Sequence, residues 1–205
     1  MGASCGGKFY DGAEAEDAVA ILKRYGMNAV RIRLFNDPYS EKGEPYGAGT
    51  NDLETALALA KRARKAGLDI LLDYHYSDFW ADPGKQFIPK AWKGYSVEEL
   101  EQAVYDYTRE TLMVFESKGL LPDMVQVGNE LTNGLLWPYG KKPEYDNIAR
   151  FVSAGIRAVR EISGQALLAG LREEKIKVMI QRDNGGKNEM YRDWFDHYVE
   201  RGEDF

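Results

Sequence analysis

The run Met124-Val125-Gln126-Val127-Gly128-Asn129-Glu130 joins a short apolar stretch to a carboxamide and a carboxylate. The apolar part has the make-up of a buried strand, and an ionisable side chain at its mouth is costly to desolvate. Chains accept that cost most often where the group has chemistry to perform. In apolar surroundings a glutamate keeps its proton to higher pH and can act as a general acid. Glu130 fits that role, and Asn129 could orient a substrate hydroxyl. The alternative is plainer: an ion-paired or capping glutamate beside an asparagine that satisfies loop backbone.

Two further groups of residues could share such a site. Arg31 and Arg33 alternate with Val30, Ile32 and Leu34, so both arginines fall on one face of a strand. An arginine inside a core needs a carboxylate partner; on an exposed edge strand it needs none. The segment Asp73-Tyr74-His75-Tyr76-Ser77-Asp78-Phe79-Trp80-Ala81-Asp82-Pro83-Gly84 is dense in aromatics and carboxylates and carries one of the two histidines. Sugars present C–H faces that stack on aromatic rings and hydroxyls that need polar partners. Trp80, Trp137 and His75 suit such a ligand, although each tryptophan could instead seal the core and His75 could be a satisfied core histidine. Asp78, Asp82 and His75 match no metal-ligand spacing. There is no GxGxxG or GxxxxGK pattern and no serine nucleophile elbow, so neither metal nor cofactor is expected.

The elements that must position these residues alternate between strand and helix. Strand-like runs begin near residues 29, 69, 124 and 176. Helical periodicity covers 14–25, 52–65, 97–118, 145–162 and 189–200. Ser96-Val97-Glu98-Glu99 has the form of a capping box. Strict alternation implies a parallel sheet with helical crossovers. The spacing is about 49 residues per unit. A (β/α)₈ barrel at that spacing would need roughly 390 residues, so the 205 residues hold about half of one. An open doubly wound sheet is the competing α/β architecture. The net charge of −6 and the lack of a basic cluster argue against nucleic acid. No apolar run is long enough to span a bilayer and no signal peptide is visible. The single cysteine, Cys5, excludes an internal disulfide.

The runs from Ala29 to Pro38, from Leu71 to Gln86 and from Pro122 to Glu130 resemble the endo-β-1,4-galactanases of glycoside hydrolase family 53. The resemblance extends from about Lys8 to Phe205. It implies a (β/α)₈ TIM barrel, present here as strands two to five within a single partial domain over 1–205. The first strand and strands six to eight are not recognisable. It implies retaining hydrolysis of β-1,4-galactan, a pectin side chain, by a secreted or cell-surface enzyme without a cofactor. Glu130 matches the acid/base. Asn129, Arg33, Asp73, His75, Trp80 and Trp137 match or lie near substrate-binding positions. The nucleophile belongs to strand seven, so the 205 residues are expected to be inactive alone. Gln181-Arg182 departs from the histidine-containing segment usual in the family. Another hydrolase of the same clan, such as a mannanase or cellulase, or a non-catalytic sugar-binding protein, are the alternatives. Exposed barrel edges lead to an expectation of self-association.

Overall fold

The computed structural model describes residues 7–47 and 49–205; Cys5 lies outside them. The chain opens with a small hairpin, β1 (Phe9–Tyr10) against β2 (Ala15–Glu16), and then α1 (Ala18–Arg24). The helix expected over 14–25 is therefore shorter. Asp17 caps its first turn through Val19 N at 2.8 Å. Strand β3 (Ala29–Leu34) follows, then α2 (Leu53–Lys65), β4 (Asp69–Tyr74) and α3 (Val97–Ser117). Next come β5 (Met124–Val127), the two-residue strands β6 (Gly134–Leu135) and β7 (Gly140–Lys141), and α4 (Tyr145–Leu168). Strand β8 (Lys177–Met179) and α5 (Asn188–Val199) complete the order.

The main sheet has the order β3-β4-β5-β8, and every pairing is parallel. Neighbours in space are neighbours in the chain, with helical crossovers between them. A doubly wound sheet reverses its strand order at a switch point; this sheet does not, so the barrel reading holds and the open-sheet alternative falls. The β6–β7 hairpin within 133–142 was not legible, because two-residue strands carry no periodicity.

Side-chain alternation divides the sheet into two faces. Ile32, Leu34, Ile70, Leu72, Tyr74, Val125 and Val127 are buried beneath the helices. They pack with Leu100, Val104, Leu112 and Phe115 of α3 and Ile148, Val152, Ile156 and Val159 of α4. Register places Arg33, Asp73, Gln126 and Met179 in one row on the opposite face, which is the inner face of a barrel. The expected capping box opens α3: Ser96 Oγ accepts from Glu99 N at 3.2 Å, and the Glu99 carboxylate accepts from Ser96 N at 2.7 Å. Helix α4 runs six residues beyond the expected end at Ile162, because Gly164 has open space around its Cα and costs the helix only its usual entropy.

Candidate active site

Parallel strands send their C-terminal ends to one face, so the loops after β3, β4, β5 and β8 meet there. Glu130 sits three residues beyond the end of β5 with φ +50° and ψ +52°. A glutamate in the left-handed region is strained, and such strain persists only where the surroundings hold it. Gly128 (φ +81°) makes the turn; a Cβ there would meet Leu131 at 2.7 Å. Glu130 N donates to Gln181 Oε1 at 2.6 Å, and Leu131 N donates to the Gln181 carbonyl at 3.1 Å. The Gln86 amide donates to the carbonyls of Asn129 at 2.8 Å and Glu130 at 3.4 Å. The Glu130 backbone is thus clamped from two loops.

Among the described residues, nothing hydrogen-bonds the Glu130 carboxylate. Partial burial pushes its pKa above the ordinary carboxylate range, and the negative charges of Asp183 and Asp82 push it the same way. Arg31 and His75 offset part of this. The group is held where it keeps its proton longer than a solvated glutamate, which is the property a general acid needs.

Asn129 is buried and held on three sides. Its Oδ1 accepts from Arg31 Nη2 at 2.6 Å and from Gln126 Nε2 at 3.3 Å; its Nδ2 donates to Ala81 O at 2.8 Å. The second amide hydrogen is left without a partner in this set, available to a hydroxyl. Behind it lies Asp73, fully buried. Asp73 pairs with Arg31 at 2.9 Å and accepts from Gln126 Nε2 at 2.6 Å. His75 Nδ1 accepts from Ala81 N at 3.1 Å, so its proton lies on Nε2, 3.2 Å from Asp73 Oδ2. Asp73 and His75 therefore reach the site through Asn129 and Arg31 rather than by lining it.

The arginine–carboxylate pair is present, and Arg31 makes it. Arg33 instead lies over the Trp80 ring at 4.1 Å. Trp137 is half-buried, its Nε1 donating to Asn133 O at 3.0 Å and Lys141 lying 4.4 Å over its ring. Arg182, beside Gln181, is buried; it donates to Met190 O and lies over Tyr191 and Trp194. The sequence assigns no bracing role to Gln86, Gln126 or Gln181. Gln126 was accessible in principle, since a polar residue inside an apolar strand signals a buried partner; Gln86 and Gln181 were not, because their partners lie on other loops.

These features define a class: a segment of a parallel (β/α) barrel with a carboxyl group at its C-terminal rim. The profile described as glycosyl hydrolase family 53 matches residues 2–205, and the chain belongs to that family. It is 40% identical over 162 residues to an endo-beta-1,4-galactanase of Bacillus subtilis, covering 78% of this chain and 37% of that protein. It is 38% identical over 165 residues to the arabinogalactan endo-beta-1,4-galactanase A of Aspergillus niger, covering 80% and 43%. The fold matches the GH53 catalytic domain of Ignisphaera aggregans with a TM-score of 0.91 at 39% identity, over 99% of this chain and 54% of that one. The chain thus spans about half the length, or less, of these relatives.

Proposed function

We propose that this chain carries the acid/base half of a retaining β-1,4-galactan hydrolase site. Glu130 protonates the leaving glycosidic oxygen and then activates water. Asn129 holds a hydroxyl of the sugar at the reacting centre. Arg33, Trp80 and Trp137 border the sugar, and Asp73 and His75 fix the Asn129–Arg31 arrangement from behind. The observation that carries the reading is the clamped, strained backbone of Glu130, which presents an unbonded carboxyl with a raised pKa beside a fully oriented asparagine.

Retention requires a second carboxylate about 5–5.5 Å from the first. The two whose charges act on Glu130 are engaged elsewhere: Asp183 with Thr132 and Asn184, Asp82 with Lys85 at 3.0 Å and Gly84 N at 2.8 Å. Neither is assigned the nucleophile. General acid–base catalysis alone gives about 10²–10⁴-fold, so the 205-residue chain is expected to bind galactan and turn it over negligibly. A polymeric substrate cannot cross a membrane, which fits secretion or cell-surface display. Among the described residues no helix is long and apolar enough to span one.

The test sets oligosaccharide binding beside turnover on galactan, mannan and cellulose. Galacto-oligosaccharide binding that Asn129→Ala abolishes and Glu130→Gln spares supports the proposal. A preference for manno- or cello-oligosaccharides overturns the substrate. Rapid galactan hydrolysis by the 205 residues, abolished by Glu130→Gln, overturns the half-site assignment.

A further inference from the structure

The chain contains two Asn-Gly steps, Asn133-Gly134 and Asn184-Gly185. An asparagine is thermally labile, and most so before glycine, where no Cβ shields the next backbone nitrogen from the carboxamide carbon. The fold decides whether such a step reacts. The glycine nitrogen must be free to approach, the asparagine side chain must be free to turn, and water must reach both.

The two steps sit in opposite settings. Gly134 is buried, and its N–H donates to the Leu131 carbonyl. Asn133 Nδ2 donates to Pro83 O at 2.9 Å, and its carbonyl accepts from Trp137 Nε1 at 3.0 Å and Lys142 N at 3.2 Å. Every group the reaction would move is held. Residues Asn184, Gly185 and Gly186 are exposed. Among the described residues the Gly185 N–H has no hydrogen-bond partner, and no other element holds the Asn184 side chain. Its Nδ2 donates only to the carboxylate of the preceding residue, Asp183. Asn184 has φ +61°, and its carbonyl accepts from Lys187 N at 2.9 Å, which keeps the segment in an open turn.

The chemistry needs only water. Gly185 N gives its proton to hydroxide and attacks Asn184 Cγ. The N–Cγ bond forms, the Cγ–Nδ2 bond breaks, and the amide nitrogen leaves as ammonia with a proton from water. A five-membered succinimide remains. Water then adds to either ring carbonyl and opens it to aspartate or to isoaspartate. The balance is one water consumed and one ammonia released, with no change of oxidation state.

We propose that Asn184 is a site of spontaneous deamidation, which turns a neutral carboxamide into a carboxylate on the loop that grips Glu130. The three residues before it make that grip. Gln181 accepts from Glu130 N and Leu131 N, Arg182 Nη2 donates to Thr132 Oγ1 at 3.4 Å, and Asp183 accepts from the Thr132 hydroxyl. Deamidation removes the Asn184 donor from Asp183 and sets a second negative charge beside it. The charge of Asp183 already acts on Glu130, so the product loads the same loop further in the same sense. The inference is independent of the galactan reading.

The test incubates the 205-residue chain in warm, mildly alkaline buffer and follows intact mass and peptide maps. A gain of about one dalton is expected at Asn184, as a mixture of aspartate and isoaspartate. It is expected to run at least about tenfold faster than at Asn133, the factor that local opening of hydrogen-bonded backbone imposes. In guanidinium the two steps are expected to converge, which shows that the fold protects Asn133. Gly185→Ala adds a methyl that meets only the Tyr191 hydroxyl, at 4.0 Å. It is expected to suppress the gain with melting unchanged, which separates the succinimide route from damage to the fold. Asn184→Asp copies the charge of the product and is expected to shift the Glu130 carboxyl titration upward by NMR. A gain that appears first at Asn133, or that persists undiminished in Gly185→Ala, overturns the site. A Glu130 titration that Asn184→Asp leaves unmoved overturns the link to the acid.

Discussion

Glu130 combines two costs, a left-handed backbone and a partly desolvated carboxyl close to Asp183 and Asp82. Its folded-state pKa lies above the unfolded value, so the protonated form is the one the fold favours. That contribution is fully present below the unfolded pKa and is lost as pH rises through the folded value. Glu130→Gln is therefore expected to raise the thermal midpoint by roughly 1–2 °C near neutrality and to leave it unchanged in acid, below the usual carboxylate range. Melting both proteins across pH checks the sign; a neutral-pH loss of stability would contradict it. Asp73 matters for the neighbours it holds in place. It is buried and serves Arg31, Gln126 and His75 together. Asp73→Ala strands three polar partners and is expected to cost about 2–4 kcal/mol by urea titration. Of this centre, the Asn129–Glu130 pair was legible because a polar pair ending an apolar run stands out in one window of sequence. The clamps were not: Gln86 reaches Glu130 across 44 residues and Gln181 across 51. A partner at that separation leaves no local pattern. The same limit kept Arg31 and Arg33 indistinguishable, since alternation gives the face of a strand and not the partner each guanidinium finds.

At the scale of elements, periodicity and capping chemistry place all four main-sheet strands to within a few residues and find all five helices, with larger errors at the start of α1 and the end of α4. The misses have local causes. The Phe9–Tyr10/Ala15–Glu16 hairpin took residues whose apolar spacing fitted a helix, and Asp17, the true cap, delayed the helix to Ala18. Gly164 lies inside α4, four residues before its end at Leu168. Another glycine of the same helix shows what such residues are for. At Gly155 helix α4 meets the sheet closely enough that a Cβ would lie 2.7 Å from both Val127 Cγ1 and the Tyr76 hydroxyl. That hydroxyl is fixed by Thr108 Oγ1 at 2.8 Å, and Val127 is fully buried, so neither can yield cheaply. Gly→Ala in a helix interior usually gains up to about 1 kcal/mol, whereas overpacking a tight core costs about 1–3 kcal/mol. The steric term is the larger. Gly155→Ala is expected to destabilise by about 1–2 kcal/mol, while Gly164→Ala, with open space around it, is expected to stabilise slightly. A pair of denaturant titrations tests both, and equal effects at the two sites would show that helix propensity rather than packing sets the outcome.

For the molecule as a whole, the decisive feature is a sheet with one finished face and one open face. Helices cover Ile32, Leu72, Val125 and their neighbours, but on the inner face Met179 is 38% exposed, Lys177 is exposed, and Leu71 and Met124 are only half-buried. Among the described residues β3 and β8 each have a neighbour on one side only, so both ends of the sheet offer unpaired backbone groups. In a complete (β/α)₈ barrel, interdigitating side chains fill that interior and closure removes both edges. Arg31 and Asp73 project from this inner face and Arg31 holds Asn129, so the groups that fix the asparagine beside Glu130 belong to the surface that closure would dry. Unpaired edges beside exposed apolar side chains template association with other strands. The 205-residue chain on its own is therefore expected to self-associate, with sedimentation coefficients that rise with concentration. Met179→Lys, which adds a charge beside Lys177 on the same sheet edge, is expected to shift the distribution towards monomer. A single species at all concentrations, melting cooperatively, would show that the open face is satisfied within one chain.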